Sequence, residues 1–556
     1  MTALPSAPND SANSPLRQWW LMLLVVAVGI GLRCMQAFED RALWLDEAML
    51  ALNVRRLSLT ELCGPLQYDQ AAPVGFLWLQ KLASYVVSDA EISARIVPWA
   101  AGCLGLILFA KLIFNTTGPV ALLAVTAMAF SPTLICYSGE AKQYSLDVLC
   151  TVWALSAGLR WMQFPTRTSA VRAAILCAVA PWLSHAGVFF LPGVLLLAVV
   201  FRRHTGWPLS VGCALAVVLS VLTLYWVNIR GVHGNTALNN FWHSDYVPWK
   251  AIKGGPTEFE AVAVWVLRKW WELVVRAPGL APAVPPATIA WFGVASVTII
   301  VSWLLWCSVS APRRSGSLLP IYMVLPVIAC LAGAAVEIYP FGNRLLLFSA
   351  PLVFFLLGQA PLTETWGRLR RYQLDVLLIA MLLTWPVGAA CMTVAEWKSV
   401  SNMFAPHTEE DIRPFVSRMK EVSQTQAGCY VFHAARPAYE FYSGDRTAGV
   451  VFGTPGDSDH HEAEVRSCLA QNPRCCFLYA HTAPWGVLEP CKAYEYLATQ
   501  QTSEVTRSRD DVRFFTVEKQ IQDIVGAPPT METAAQGVPS ASEEDVSHQQ
   551  QQAEEL

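Results

Sequence analysis

Trp19-Trp20-Leu21-Met22-Leu23-Leu24-Val25-Val26-Ala27-Val28-Gly29-Ile30-Gly31-Leu32, followed shortly by Leu45-Asp46-Glu47-Ala48, is the stretch on which the reading of this chain turns. The first part is an uncharged apolar run that reads as a transmembrane helix. The second places two adjacent acids just outside it. A carboxylate at a membrane surface can deprotonate an alcohol or hold a divalent cation. Asp46 and Glu47 could also do no more than mark where the helix leaves the bilayer, since Asp and Glu are mostly solvated. A cleaved signal peptide would need small residues after the run. Arg33, Cys34, Met35 and Gln36 follow instead, so the run reads as a retained anchor.

Working outward, apolar runs recur as far as about residue 390, with 54% hydrophobic and 15% charged residues and 22 Trp in 556. That is the composition of a polytopic α-helical membrane protein. The net charge of −3 names no partner, and no basic patch suggests nucleic acid. The 15 Cys include no CxxC pair, which removes the zinc-type sites.

Charge orders the spans. Arg160, Arg167 and Arg172, then Arg202 and Arg203, Arg313 and Arg314, and Arg368, Arg370 and Arg371 lie between apolar runs and belong in the cytoplasm. The short loops left outside carry only Lys142 and Arg344 as strong bases. Parity then requires Pro73–Val87, short for a span, to lie on the outer surface as a juxtamembrane helix. About eleven spans result: 18–37, 95–114, 119–137, 145–162, 173–185, 187–201, 208–228, 286–306, 318–336, 345–359 and 373–393. Residues 1–17 are expected in the cytoplasm and 18–393 in the membrane domain. The mixed-polar stretch 394–525 is expected as a small extracytoplasmic α/β domain, with a strand at Gly428–His433 and a helix at Arg436–Tyr442. Its five Cys allow a disulfide, and because five is odd at least one stays unpaired within the domain. The Pro/Ser/Gln/Glu-rich tail 526–556 is expected to be disordered. Outer segment 229–285, rich in Trp, suits an interfacial belt, with sugar binding as the other reading.

Four outward-facing motifs converge: Leu45-Asp46-Glu47-Ala48, Tyr68-Asp69-Gln70-Ala71-Ala72-Pro73, Glu140-Ala141-Lys142-Gln143-Tyr144 and Tyr339-Pro340-Phe341-Gly342-Asn343-Arg344. In that order the chain resembles the GT-C-fold membrane glycosyltransferases. The resemblance is to their bacterial branch, related to protein O-mannosyltransferases and the lipid A aminoarabinose transferase, and covers about residues 17–400. Lys142 stands where the family's Glu-Ala-Arg-x-Tyr motif has Arg, which loses a bidentate fork.

The resemblance implies sugar transfer from a polyprenyl-phosphate donor to a glycan, lipid or protein acceptor at the outer face of the inner membrane, in contact with membrane lipids. Asp46 is then the general base, with Glu47 beside it. Asp69 and Glu140 orient Asp46, bind sugar or, with Asp46, hold a cation such as Mg or Mn. Arg344 and Lys142 steady the phosphate, and Tyr144 and His185 touch substrate. Asp147 is an alternative to Glu140 as the second-loop acid, because ionisable residues inside spans are functional candidates. His407–Asp411 reads as a solvated helix start and His460-His461 as loop. A transporter or flippase of a lipid-linked substrate is the competing class. Against it, no paired Gly/Pro-broken helices occur in repeated halves.

Overall fold

The computed structural model of the chain describes residues 15–116, 121–230, 236–254, 258–280, 318–358, 411–423, 428–444, 448–472, 474–480, 502–508 and 512–518, with isolated positions near 295–302, 386–388 and 492–497. The expected spans 286–306 and 373–393 fall almost wholly outside these residues. So do Arg313, Arg314, Arg368, Arg370, Arg371, His407–Glu410, Cys491 and the tail 526–556.

Helix α1 (Pro15–Ala37) begins the bundle, so residues 15–17 of the expected cytoplasmic segment are helical. It exposes Trp19, Trp20 and Leu24 on one side. On the other, Arg33 is buried and donates to the carbonyls of Gly29, Met128 and Ala129 at 2.9–3.1 Å. Two of those acceptors close the end of α5 (Ala121–Phe130), where the helix stops. The sequence read 119–137 as one span. Instead Ser131 caps a new helix, α6 (Pro132–Ser138), because Pro132 cannot continue α5 but fits a first turn.

The remaining apolar stretches fold as α4 (Ala90–Thr116), α7 (Tyr144–Gln163), α8 (Arg167–Leu183), a 3-10 turn His185–Phe190 leading into α9 (Leu191–Val200), and helices Trp207–Leu224, Leu318–Ala335 and Ala350–Gly358. Among the described residues, four helices are long and apolar enough to cross a membrane: Trp19–Ala37, Ala90–Phe114, Trp207–Asn228 and Leu318–Ala335. Arg167 and Arg172, expected in a loop, lie in the first turns of α8, where long basic side chains reach back toward water.

Helix α3 (Val74–Val86) forms where the sequence placed a helix too short for a span. At 1.5 Å per residue it spans roughly 20 Å, short of a bilayer core. Its buried Lys81 donates to the carbonyls of Val54 and Arg55 at 2.8 and 3.1 Å. Those carbonyls belong to the last turn of α2 (Leu45–Arg56), where a cation is favoured. Leu82, Tyr85 and Val86 remain exposed.

The carboxyl-terminal unit is a five-stranded sheet, β1 (Gly428–Val431), β2 (Val450–Phe452), β3 (Arg474–Ala480), β4 (Thr502–Ser508) and β5 (Val512–Glu518), in the order β2-β1-β3-β5-β4. Strand β1 runs parallel to both neighbours, and β5 pairs antiparallel with β3 and β4. The expected helix after β1 spans Arg436–Ser443. The expected helix start is partly seen, since Asp411 pairs with Arg413 at 2.8 Å at the head of helix Arg413–Ser423. His460 and His461, read as loop, lie in helix Ser458–Gln471, which Asp457 caps by accepting from the His460 amide. The sheet's core takes in Leu43, Ala48 and Leu52 from the first loop and α2. The unit therefore sits on the same side of the bundle as Asp46.

Candidate active site

Asp46 and Glu47 occupy the first turn of α2, where carboxylates suit the positive end of a helix. Consecutive helical residues diverge by about 100°, so the two acids face different neighbours. Glu47 turns inward. It accepts from Arg41 at 3.1 and 3.3 Å, from the Ala141 amide at 2.8 Å and from the Trp44 amide at 3.3 Å. Arg95 lies 3.8 Å away. Arg41 also donates to the carbonyl of Gly139 at 2.8 Å, tying the second loop to the head of α2. Gly139 is needed there, because a Cβ would meet the Gln36 backbone. Burial opposes charge on Glu47, but Arg41, Arg95 and the Ala141 amide hold its carboxyl below the usual range.

Asp46 faces the other way. Its Oδ2 accepts from Arg344 at 2.9 Å and lies 3.7 Å from Lys142, and Gln70 donates to Oδ1 at 3.4 Å. Lys142 in turn donates to Gln70 Oε1 at 2.6 Å. The Arg344 guanidinium sits 5.6–6.0 Å from the rings of Trp44, Tyr144 and Trp242, an aromatic surround that suits a planar cation. Asp46 keeps 20% and Arg344 17% of side-chain exposure, against 0% for Glu47. The first two can meet a ligand; Glu47 cannot without breaking its bonds. Burial works against ionisation of Asp46, but Lys142 and Arg344 outweigh it and hold the carboxyl well below its usual range.

Glu140 completes the group. It is buried, and its Oε2 has no hydrogen-bond partner among the described residues. Burial first, and then the charge of Glu47, pushes its carboxyl up to about 7. Glu140 thus binds its proton more tightly folded than unfolded. Its contribution to stability is fully present below about pH 4.5 and lost as pH rises through about 7. Glu140→Gln removes that loss. In detergent its thermal stability should exceed wild type by on the order of 2–3 kcal/mol at pH 8 and by much less at pH 5. An equal difference at both pH values would refute this account of Glu140.

Arg344 is placed by a segment whose role the sequence did not reveal. The Phe341 amide donates to the Asp245 carbonyl at 2.9 Å. A Cβ on Gly342 would collide with the Asp245 carboxylate and Lys269. Lys269 is buried between Asp245 and Glu272, lying 3.0 Å from the latter. Trp242 comes from the same segment, as do Trp249, bonded to the Ala335 carbonyl at 2.6 Å, and Trp265, bonded to that of Ser244 at 3.2 Å. The tryptophans expected to form a lipid belt are thus partly structural. The available signal was Lys269 and Glu272, three apart on the apolar helix Phe259–Trp271 and the turn after it.

Other expected site residues lie elsewhere. Asp69 is exposed and not among the Asp46 partners named above. Its backbone, at φ +51°, shapes the turn that delivers Gln70. His185 contacts Asn228 at 3.2 Å, and Asp147 is buried one turn into α7 below Tyr144. No group of three or more His, Cys, Asp or Glu able to hold a metal occurs among the described residues. Asp46, Asp69 and Glu140 do not fit the expected cation, since Asp46 already faces Arg344 and Lys142. The arrangement suits an anion instead.

No protein-family model matches the sequence, and no curated protein matches it. Solved structures do. ArnT from Cupriavidus metallidurans in the apo state is 13% identical, with a TM-score of 0.50 over 90% of this chain and 98% of that one. The fold is that of the GT-C membrane glycosyltransferases. The same ArnT bound to undecaprenyl phosphate matches at 12% identity and TM-score 0.48, over 91% and 98% of the two chains. The Archaeoglobus fulgidus oligosaccharyltransferase matches at 11% and 0.40, over 82% and 67%. The resemblance drawn from the four motifs therefore holds for the GT-C fold, and all four motifs (through Asp46, Gln70, Lys142 with Tyr144, and Arg344) meet at one point.

Proposed function

We propose that the chain is an integral-membrane glycosyltransferase that moves a hexosyl or pentosyl group from a polyprenyl-phosphate donor to an acceptor hydroxyl. The observation that carries this reading is the convergence of Arg344 and Lys142 on Asp46 at one end of the helical bundle. In the eleven-span topology that end faces the periplasm. An isoprenoid tail can stay in lipid while its phosphate reaches the two cations and its sugar reaches Asp46. The phosphate takes over Arg344 and Lys142, as a bidentate guanidinium and a point charge respectively. Relieved of both cations, Asp46 regains basicity and faces the acceptor.

In the reaction the acceptor O–H gives its proton to Asp46, and its oxygen bonds to the anomeric carbon. The bond from that carbon to the phosphate oxygen breaks with its electron pair staying on the phosphate, so configuration inverts. Arg344 and Lys142 stabilise the charge that develops there. Glu47 is a positioning residue, holding the head of α2 against the second loop, and Glu140 and Tyr144 line the site. The test is to reconstitute the protein in liposomes with polyprenyl-phosphate sugars and extracted envelope lipids and glycans. Mass spectrometry should find free polyprenyl phosphate together with a glycosylated acceptor. A donor that crosses the bilayer with its sugar still attached would favour a transporter and sink the reading.

A further inference from the structure

The turn Gln67-Tyr68-Asp69-Gln70 has an unusual backbone. Tyr68 and Asp69 adopt φ of +60° and +51°, so two successive residues with side chains sit in the left-handed region. Such a turn persists only where its surroundings hold it. At its start, Asn53 of α2 holds Gln67 by a reciprocal pair, accepting from its amide at 2.8 Å and donating to its carbonyl at 3.0 Å. At its end, Gln70 reaches Lys142 and Asp46. Between them the holding group comes from the carboxyl-terminal unit: Tyr68 Oη donates to Glu440 Oε2 at 2.7 Å.

Glu440 is itself firmly set. It is 4% exposed and accepts from Arg56 and Arg436, both at 2.6 Å. Arg56 also donates to Tyr68 Oη at 3.1 Å, and Arg55 donates to the carbonyls of Phe441 and Glu440 at 2.8 and 3.1 Å. Tyr442 donates to Glu91 at 2.6 Å. The helix Arg436–Ser443 is thus clamped along α2, and its one buried carboxylate meets the strained turn.

We propose that Glu440 is a positioning residue for transfer, through which the α/β unit holds Tyr68 and keeps Gln70 on Lys142 and Asp46. This rests on the reading of Lys142 and Asp46 given above. The α/β unit then does more than cap the bundle. Its seating on α2 sets the geometry of the phosphate end of the site, so the two move as one device.

The test uses the full-length protein in liposomes and compares Glu440→Gln, Tyr68→Phe, their double variant and Arg436→Gln. Each of the first two should raise the KM for the lipid donor or lower kcat by roughly 5–30-fold, and the double should be no worse than the poorer single, because Tyr68→Phe removes and Glu440→Gln weakens, by taking away its charge, the same contact. Arg436→Gln removes a half-exposed partner of the same carboxylate without touching Tyr68, and should stay within about two-fold of wild type. Hydrogen exchange gives a readout independent of turnover. In Glu440→Gln the amides of Tyr68–Ala72 should exchange faster, while those of β3 keep wild-type protection. Wild-type kinetics with unchanged exchange at Tyr68–Ala72, or single effects that multiply in the double variant, would overturn the proposal. A wild-type protein that transfers no sugar removes the reading of the reaction, and the exchange result alone then decides whether the latch exists.

Discussion

Asp46→Asn should lower turnover by roughly 10²–10⁴-fold, the usual contribution of a general base. Asn is nearly isosteric with Asp and can still accept from Arg344, so the protein should fold and insert normally. It cannot take the acceptor's proton. Donor binding should move the other way or hardly at all, since the substitution leaves Arg344 and Lys142 without a countercharge and an incoming phosphate no longer displaces a carboxylate. The discriminating result is therefore a fall in kcat with unchanged or tighter affinity for the lipid phosphate. If turnover stays near wild type with purified donor and acceptor, Asp46 is not the base. The reaction would then need another carboxylate, with Glu140 the nearest candidate by virtue of its raised pKa of about 7.

Arg344→Lys and Arg344→Ala should both weaken binding of the lipid-phosphate donor, by roughly 10–100-fold, the equivalent of losing a hydrogen bond to a charged group. The Lys variant is the more telling. A side chain that only extends to the membrane surface would be replaced well by Lys, which does so equally. A planar group seated among Trp44, Tyr144 and Trp242 that grips a phosphate through two parallel bonds would not. Donor affinity measured on the purified variants in detergent, alongside their melting temperatures, separates a lost clamp from a lost fold. Wild-type affinity in both variants would remove Arg344 from the phosphate site.

How much of this was legible in one dimension follows from the range of each interaction. The apolar runs, the arginines between them and the shortness of Pro73–Val87 are local properties, and they sufficed for a helical membrane protein with a short separate helix at Val74–Val86. Four motifs sufficed for the fold resemblance. The strand and helix around Gly428 and Arg436 were legible for the same reason, being set by a short apolar run and by Pro437 and Gly444 at the two ends of the helix. The break at Ser131-Pro132 was equally local, but the uniform hydrophobicity of the stretch concealed it.

What only the tertiary structure decided are the pairings. Asp46 and Glu47 are adjacent in sequence and identical in kind of chemistry, yet one meets Arg344, 298 positions away, and the other is sealed among Arg41, Arg95 and the Ala141 amide. No local pattern assigns a partly exposed ion pair to one and a sealed structural tie to the other, because the assignment depends on which distant cations arrive. The same holds for Gln70 on Lys142, Lys269 beneath Gly342, and Glu440 on Tyr68. Sequence alone determined that chemistry-bearing residues gather at the ends of membrane helices, since burial and charge force them there. Which of them touch was settled only when the chain closed on itself and each buried charge had to find a partner.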